Sequence, residues 1–268
     1  MSQSTSKGTA LITGASTGIG AVYADRLAKR DYDLILVARN EERLRTLASR
    51  LTTDTGRKAA MLVADLGNNT DFGKVEATLR NDPTITALVN NAGAGSVASI
   101  LQADVEKMDD MIRVNITALT RLTYSVAPAF VARGSGTIIN IASVVGIAVE
   151  NLNGVYSASK SYVISFDHSL QHDIADKGIR IQTVLSGATA TEFWDIAGNS
   201  TQKTAANTMS AEDMVDAALV SLDQGELVTI PGLHDGDDWY RWEADRRAIS
   251  EKFGNSVPAA RYALAKAA

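Results

Sequence analysis

The chain reads as a single-domain α/β fold, a Rossmann-type doubly wound parallel sheet of about seven strands with helices on both faces. Three observations predict it. Short apolar runs alternate with longer amphipathic stretches, the first run passes into a glycine-rich turn that opens a helix, and polar side chains recur just after the runs. Strands buried on both faces are near-continuous apolar runs. In an open sheet of this kind ligands bind outside the carboxyl ends of the strands.

The first strand is expected in Gly8-Thr9-Ala10-Leu11-Ile12-Thr13, and the turn that follows carries Gly14, Ser16, Thr17, Gly18, Ile19 and Gly20. Val22, Tyr23, Leu27 and Ala28 then recur at helical spacing up to Arg30. Backbone amides at such a strand-to-helix junction point outward and bind phosphate. The glycines differ in spacing from the common dinucleotide fingerprint, and a tight turn with packing glycines accounts for them equally. Asp31 stands where a helix-ending glycine is expected.

Further strands are expected over 34–38, 60–64, 87–90, 137–141, 179–185 and 227–230, which puts Gly14, Asn90, Ser143 and Gly187 at one edge of the sheet. Long helices are expected over roughly 104–133 and 155–177. Between 188 and 209 the chain is irregular, mixing Phe193, Trp194 and Ile196 with Gly198, Asn199, Ser200 and Thr201. A structureless stretch this long is usually functional or disordered. The polar tail 1–7 and the alanine-rich end 259–268 read as accessory, and one domain spans 1–268.

With 268 residues and 45% apolar content the chain can bury a full core. The absence of cysteine excludes disulfides, thiolate metal sites and cysteine nucleophiles. Three scattered histidines form no zinc pattern, so no metal is expected. The polar start lacks the apolar core of a signal peptide, and no run approaches the about 18 apolar residues a membrane span needs. The expectation is a cytoplasmic protein. A net charge of −5 and a pI near 5.3 argue against a nucleic-acid surface.

Tyr156 and Lys160 are four residues apart, so on a helix their side chains leave from one face. A free phenol titrates near pH ~10, and a fixed cation nearby stabilises its phenolate, so the pair can serve as a tuned proton donor. Ser143 precedes Tyr156 by 13 residues, and Asn115 lies in an otherwise apolar helix, where an amide is costly without partners.

The glycine turn from Gly14 to Gly20, Asn90-Asn91-Ala92-Gly93, Ser143 and Tyr156-x-x-x-Lys160, in this order, resemble the short-chain dehydrogenase/reductase family over nearly the whole chain. The resemblance implies NADP-dependent reduction of a ketone or aldehyde to an alcohol, reversibly. It makes Tyr156 the proton donor, with Lys160 lowering its pKa and binding the nicotinamide ribose. Ser143 donates to the carbonyl oxygen, and Asn115 holds a water that links Lys160 to solvent. Asn90 is then near the adenosine ribose, Asn91, Ala92 and Gly93 let the backbone approach the cofactor, and Asp65-Leu66 contacts the adenine. Gly187, Thr189 and Thr191 are cofactor contacts on the nicotinamide side, and 188–209 becomes a substrate lid. A homotetramer or homodimer through the two long helices is also implied.

The second strand ends at Ala38, where an NAD-binding chain usually has an acidic residue for the ribose 2′-hydroxyl. Arg39 follows, and a guanidinium binds the extra phosphate of NADP through paired, charge-assisted hydrogen bonds. The cofactor expected is therefore NADPH. An exposed arginine paired with a local carboxylate is the bland alternative.

Ser186 departs from the family, most of whose members have proline there. It leaves a free backbone amide and a φ that proline would fix, which implies a looser nicotinamide-side loop. Gly95, Val144, Val145, Ile147, Leu152, Phe193 and Trp194 are candidate pocket residues, mostly apolar, with no conspicuous cationic cluster. This favours an uncharged or weakly polar carbonyl. A 3-oxoacyl thioester reductase is the runner-up, and a non-catalytic dinucleotide-sensing protein is the reading from another class.

Overall fold

The computed structural model describes residues 6–262, so most of the polar start and the last part of the alanine-rich end lie outside the described residues. The described strands are β1 (Thr9–Thr13), β2 (Asp33–Ala38), β3 (Ala59–Val63), β4 (Ile85–Asn90), β5 (Gly136–Ser143), β6 (Ile179–Ser186) and β7 (Val228–Thr229). They form one seven-stranded sheet in the order β3-β2-β1-β4-β5-β6-β7, and every neighbouring pair is parallel. Strand order reverses between β1 and β4, which opens a crevice at their carboxyl ends.

The helices are α1 (Gly18–Lys29), α2 (Glu41–Thr55), α3 (Asn69–Asn81), α4 (Val105–Ile112), α5 (Leu119–Arg133), α6 (Gly154–Ile174), α7 (Phe193–Ala197), α8 (Ala211–Gln224) and α9 (Gly236–Ser250). Most begin where a polar side chain accepts from a first-turn amide: Asn40 for α2, Asn68 for α3, Asp104 for α4, Asn153 for α6, Ser210 for α8 and Asp235 for α9. The long helix expected over 104–133 is α4 and α5 joined by a π-helical segment, Arg113–Ala118. The one expected over 155–177 is α6 followed by a 3₁₀ turn, Ala175–Lys177.

β1 sends Ala10 and Ile12 to one face and Leu11 to the other, as a strand's two-residue period requires. On the first face they meet Tyr23 and Leu27 of α1, Leu44 and Leu51 of α2, and Val215 and Leu219 of α8. On the second they meet Phe72 and Val75 of α3, Leu122, Val126 and Phe130 of α5, and Leu170 of α6. Both faces of β1 are covered, which explains the unbroken apolar run Ala10 to Ile12 at its centre. Asp31 ends α1 with φ 72°, the one non-glycine residue at positive φ among the described residues.

The chain divides into two compact units, Met1–Pro231 and Gly232–Ala268. The first contains the sheet and α1 to α8. In the second, Trp239 and Trp242 of α9 stack with ring centroids 4.8 Å apart, and Arg246 pairs with Glu243 at 2.9 Å. Glu243 is the one buried residue of α9, and Tyr240, Trp242 and Ile249 are exposed.

Candidate active site

A cleft of about 480 Å³ runs along the carboxyl ends of the strands. Gly14, Ser16, Thr17, Gly18 and Ile19 form one wall, where β1 turns into α1. Gly14 has φ 65°, and a Cβ there would stand 2.9 Å from the Ala92 Cα, so glycine is required for the turn and for the close approach of β4. Asn91 ties the two together, donating from Nδ2 to the carbonyls of Thr13 (2.9 Å) and Gly14 (3.1 Å). Unlike the capped helices, α1 has no side-chain cap at Thr17 and no acid in its first turn. Its first amides are left for an outside acceptor, and the dipole there favours an anion. The chemistry of the wall thus fits the diphosphate of a dinucleotide.

Gly20 is off the cleft. A Cβ at that position would lie 2.3 Å from the Gly14 carbonyl oxygen, so glycine there packs the turn that carries the cleft-lining residues Gly14 to Ile19. Asn90 is likewise displaced from the expected ribose site. It is buried, and its Nδ2 donates to Asn140 Oδ1 (2.8 Å) and Thr123 Oγ1 (3.1 Å), because the β4 side chain at that register faces the helices beneath. Asn91, Ala92 and Gly93 do line the cleft, as do Gly187, Thr189 and Thr191 on the opposite side.

At the far end of the second strand, Arg39 and Asp65-Leu66 border the cleft. No carboxylate pairs with Arg39 among the described residues. Its neighbours are paired elsewhere, Arg45 with Glu41 and Arg43 with Glu192. Asp65 Oδ1 accepts from the Gly67 amide at 2.9 Å, so this carboxylate also caps its own turn.

Tyr156, Lys160 and Ser143 meet in the middle of the cleft, each less than 10% exposed. Tyr156 and Lys160 come from the first turns of α6, and Ser143 ends β5. Lys160 Nζ donates to the Ile141 carbonyl at 2.8 Å and lies 5.7 Å from the Tyr156 ring centroid. Burial pushes the Lys160 pKa down to about 8. The expected lowering of the phenol is absent from this state: burial pushes Tyr156 up to about 12, partly offset by hydrogen bonding to Ser143. The ammonium is spent on a backbone carbonyl, and a desolvated phenol resists ionisation.

Asn115 lies outside the cleft wall, in the π-helical segment Arg113–Ala118. Such insertions recur at functional sites. Its amide accepts from Ala94 N (2.9 Å) and donates to Ala94 O (2.9 Å) and Ser159 Oγ (3.0 Å). It therefore joins the loop after β4 to α6, one residue from Lys160. Ser186 closes β6: it pairs with Ser143 across β5 and β6, and its hydroxyl donates to Ala142 O at 3.2 Å. Ser143 Oγ in turn donates to Ser186 O at 3.0 Å.

The segment 188–209 is more ordered than its sequence suggests. Its ends pair through Met209 N to Ala188 O (2.9 Å) and Ala190 N to Met209 O (2.8 Å). Trp194 Nε1 donates to Thr189 O at 3.0 Å, which fixes α7 over the cleft. The Phe193 ring lies 5.6 Å from that of Tyr156 and occupies the surface of Gly95, where a Cβ would stand 2.1 Å from Phe193 Cζ. Val145 and Leu152 line the cleft beside the Tyr156 ring, and Met108 and Met111 pack behind them in the same buried apolar cluster. Val144 and Trp194 also line the cleft, whereas Ile147 does not. Arg43, Glu192 and the two methionines escaped the sequence reading. Arg43 alone left a signal, its four-residue spacing from Arg39.

Comparison with known proteins gives a consistent result. The short chain dehydrogenase family profile matches residues 8–202. A short-chain dehydrogenase from Sphingobium yanoikuyae, solved in complex with NADPH, superposes with a TM-score of 0.92 at 43% identity, covering 95% of this chain and 100% of that one. The bulky-bulky ketone specific alcohol dehydrogenase from Comamonas testosteroni superposes at 0.89 with 39% identity, covering 96% and 99%. The very-long-chain 3-oxoacyl-CoA reductase of Anas platyrhynchos is 35% identical over 199 residues, covering 72% of this chain and 64% of that protein. On these matches, with the glycine turn, Ser143, Tyr156 and Lys160 gathered on one cleft, the chain belongs to the short-chain dehydrogenase family of oxidoreductases.

Proposed function

We propose that the protein reduces ketones bearing two sizeable substituents to secondary alcohols, reversibly, with NADPH. The observation that carries this reading is the two-ended cleft: Arg39, without a carboxylate partner among the described residues, at one end, and the Tyr156 phenol among mostly apolar cleft residues at the other. The NADPH of the Sphingobium relative and the bulky ketones of the Comamonas relative support each end separately.

Ser16, Thr17, Gly18 and Ile19 would hold the diphosphate, Arg39 the 2′-phosphate, Asp65 and Leu66 the adenine, and Gly187, Thr189 and Thr191 the nicotinamide side. When bound, NADPH supplies the hydride for the carbonyl carbon. Tyr156 donates the proton to the carbonyl oxygen. Ser143 turns its hydrogen from the Ser186 carbonyl to that same oxygen and stabilises the charge developing there. Lys160, with a pKa near 8, keeps most of its charge at neutral pH and biases Tyr156 toward giving up its proton. Asn115 holds the Ala94 backbone and Ser159, and so fixes the distance between the loop after β4 and the reactive face of α6.

Apart from Lys160, whose ammonium is bonded to the Ile141 carbonyl, the described cleft residues around Tyr156 are mostly apolar and add no cation for a charged carrier, which favours a free ketone over an acyl thioester. The described residues contain no helix long and apolar enough to cross a membrane. We place the protein in the cytoplasm as a dimer or tetramer through α5 and α6, where Tyr124, 66% exposed, stacks on Phe166. Sedimentation tests the assembly. The function is tested by NADPH and NADH oxidation over aliphatic, diaryl and acyl-thioester ketones. The reading requires NADPH preference, its loss in Arg39→Ala, and faster turnover of the larger free ketones; thioesters turned over fastest would favour the runner-up.

A further inference from the structure

Arg43, in the first turn of α2, donates from Nη1 to Glu192 Oε2 at 2.6 Å. The partners are 149 residues apart and join the rim behind β2 to the lid beside Thr191 and Phe193. Both line the cleft, and both side chains are about half exposed, at 47% and 44%. Arg43 follows Arg39 by four residues, with Asn40 capping the helix between them, and all three line the cleft that Glu192 also borders.

Two guanidiniums four residues apart suit a phosphate monoester, which offers three acceptor oxygens and nearly two negative charges. One carboxylate oxygen on Arg43 is the weaker partner. A carboxylate left beside an arriving phosphate would also repel it. From this geometry we propose that Arg43 is a second arginine for the cofactor's 2′-phosphate and that Glu192 holds its place in the free protein. Phosphate binding moves Arg43 from the lid to the cofactor and releases the tie between α2 and the lid. Cofactor discrimination and lid freedom are then set by one exchange of partners. The inference rests on the NADPH reading.

The test is equilibrium binding of adenosine 2′,5′-bisphosphate and of AMP, by calorimetry, to the wild type, Arg39→Ala, Arg43→Ala and Glu192→Gln, with trypsin cleavage after Lys203 reporting on the lid. AMP binding serves as the control for folding. Arg43→Ala should lose about tenfold in bisphosphate affinity with AMP unchanged. Glu192→Gln should gain about two- to fivefold for bisphosphate alone, in keeping with the modest worth of a half-exposed pair. Bisphosphate, and not AMP, should speed cleavage at Lys203 in the wild type, and Glu192→Gln should be cleaved fast without it. A bisphosphate-to-AMP ratio unchanged in Arg43→Ala overturns the inference, and so does a Glu192→Gln variant with no gain. If Arg39→Ala loses the preference in that case, the NADPH reading survives alone. Equal binding of both ligands by the wild type overturns both.

Discussion

Lys160 Nζ lies 5.7 Å from the Tyr156 ring centroid and gives its hydrogen bond to the Ile141 carbonyl, 2.8 Å away. The two reactive groups are thus neighbours that do not yet act on one another, and burial governs both. A buried amine whose pKa is depressed to about 8 binds fewer protons when folded than when unfolded at any pH between that value and its ordinary one near 10.5. Stability therefore rises as pH climbs through that window. Chemical denaturation at pH 8 and 9.5 should show wild type gaining about 1–2 kcal/mol relative to Lys160→Met. Parallel curves for the two proteins would contradict the depressed pKa.

Asp31 has φ 72°, a conformation glycine adopts without steric cost and aspartate tolerates less well. Asp31→Gly should raise the unfolding free energy by about 0.5–1 kcal/mol without touching turnover. A loss of stability would mean that the aspartate side chain supports the turn.

Much of this fold was legible because its strands are buried on both faces. Leu34 to Ala38 and Thr137 to Ile141 read as strands from their apolar runs, and the structure extends the first by one residue and the second by three. Asp31 was legible for a different reason, since a helix end makes one local backbone demand. The segment 188–209 was not, because α7 is five residues long and is held by Trp194 Nε1 on the Thr189 carbonyl, with no periodicity to detect. Arg43 and Glu192 meet across 149 residues, and nothing local in either stretch announces the other. Gly20 and Asn90 carried motif positions whose side of the sheet or turn a motif does not specify.

Asp167, on α6, is fully buried and accepts from Asn140 Nδ2 (2.5 Å) and Thr183 Oγ1 (2.6 Å). Burial pushes its pKa up to about 7, against the pull of these two hydrogen bonds. The folded protein then binds more protons than the unfolded chain between the ordinary carboxylate value of 3.8 and about 7, so stability falls as pH rises through that range. Asp167→Asn should flatten this dependence and be more stable than wild type at pH 8 by about 1–3 kcal/mol. Thermal unfolding from pH 5 to 8 checks it, and equal slopes would contradict it.

Gly95 gives Phe193 its seat beside Tyr156. A methyl group at position 95 would meet Phe193 Cζ at 2.1 Å, so the ring must leave or the loop must shift. Gly95→Ala should lower kcat/KM for large ketones by about tenfold, the scale of one methyl group in an apolar pocket, and for small ketones less. Adding Phe193→Leu should restore much of the loss. A uniform fall across all ketones would point instead to a disturbed backbone.

In the proposed ketone reduction Tyr156 delivers the proton, and the decisive measurement is kcat for one bulky ketone at saturating NADPH in wild type and Tyr156→Phe, with NADPH affinity determined on the same samples. A fall in kcat of about 10²–10⁴-fold with unchanged NADPH affinity is the predicted result. A variant that keeps its turnover, or a wild type that binds NADPH and oxidises none with any ketone, would contradict the account.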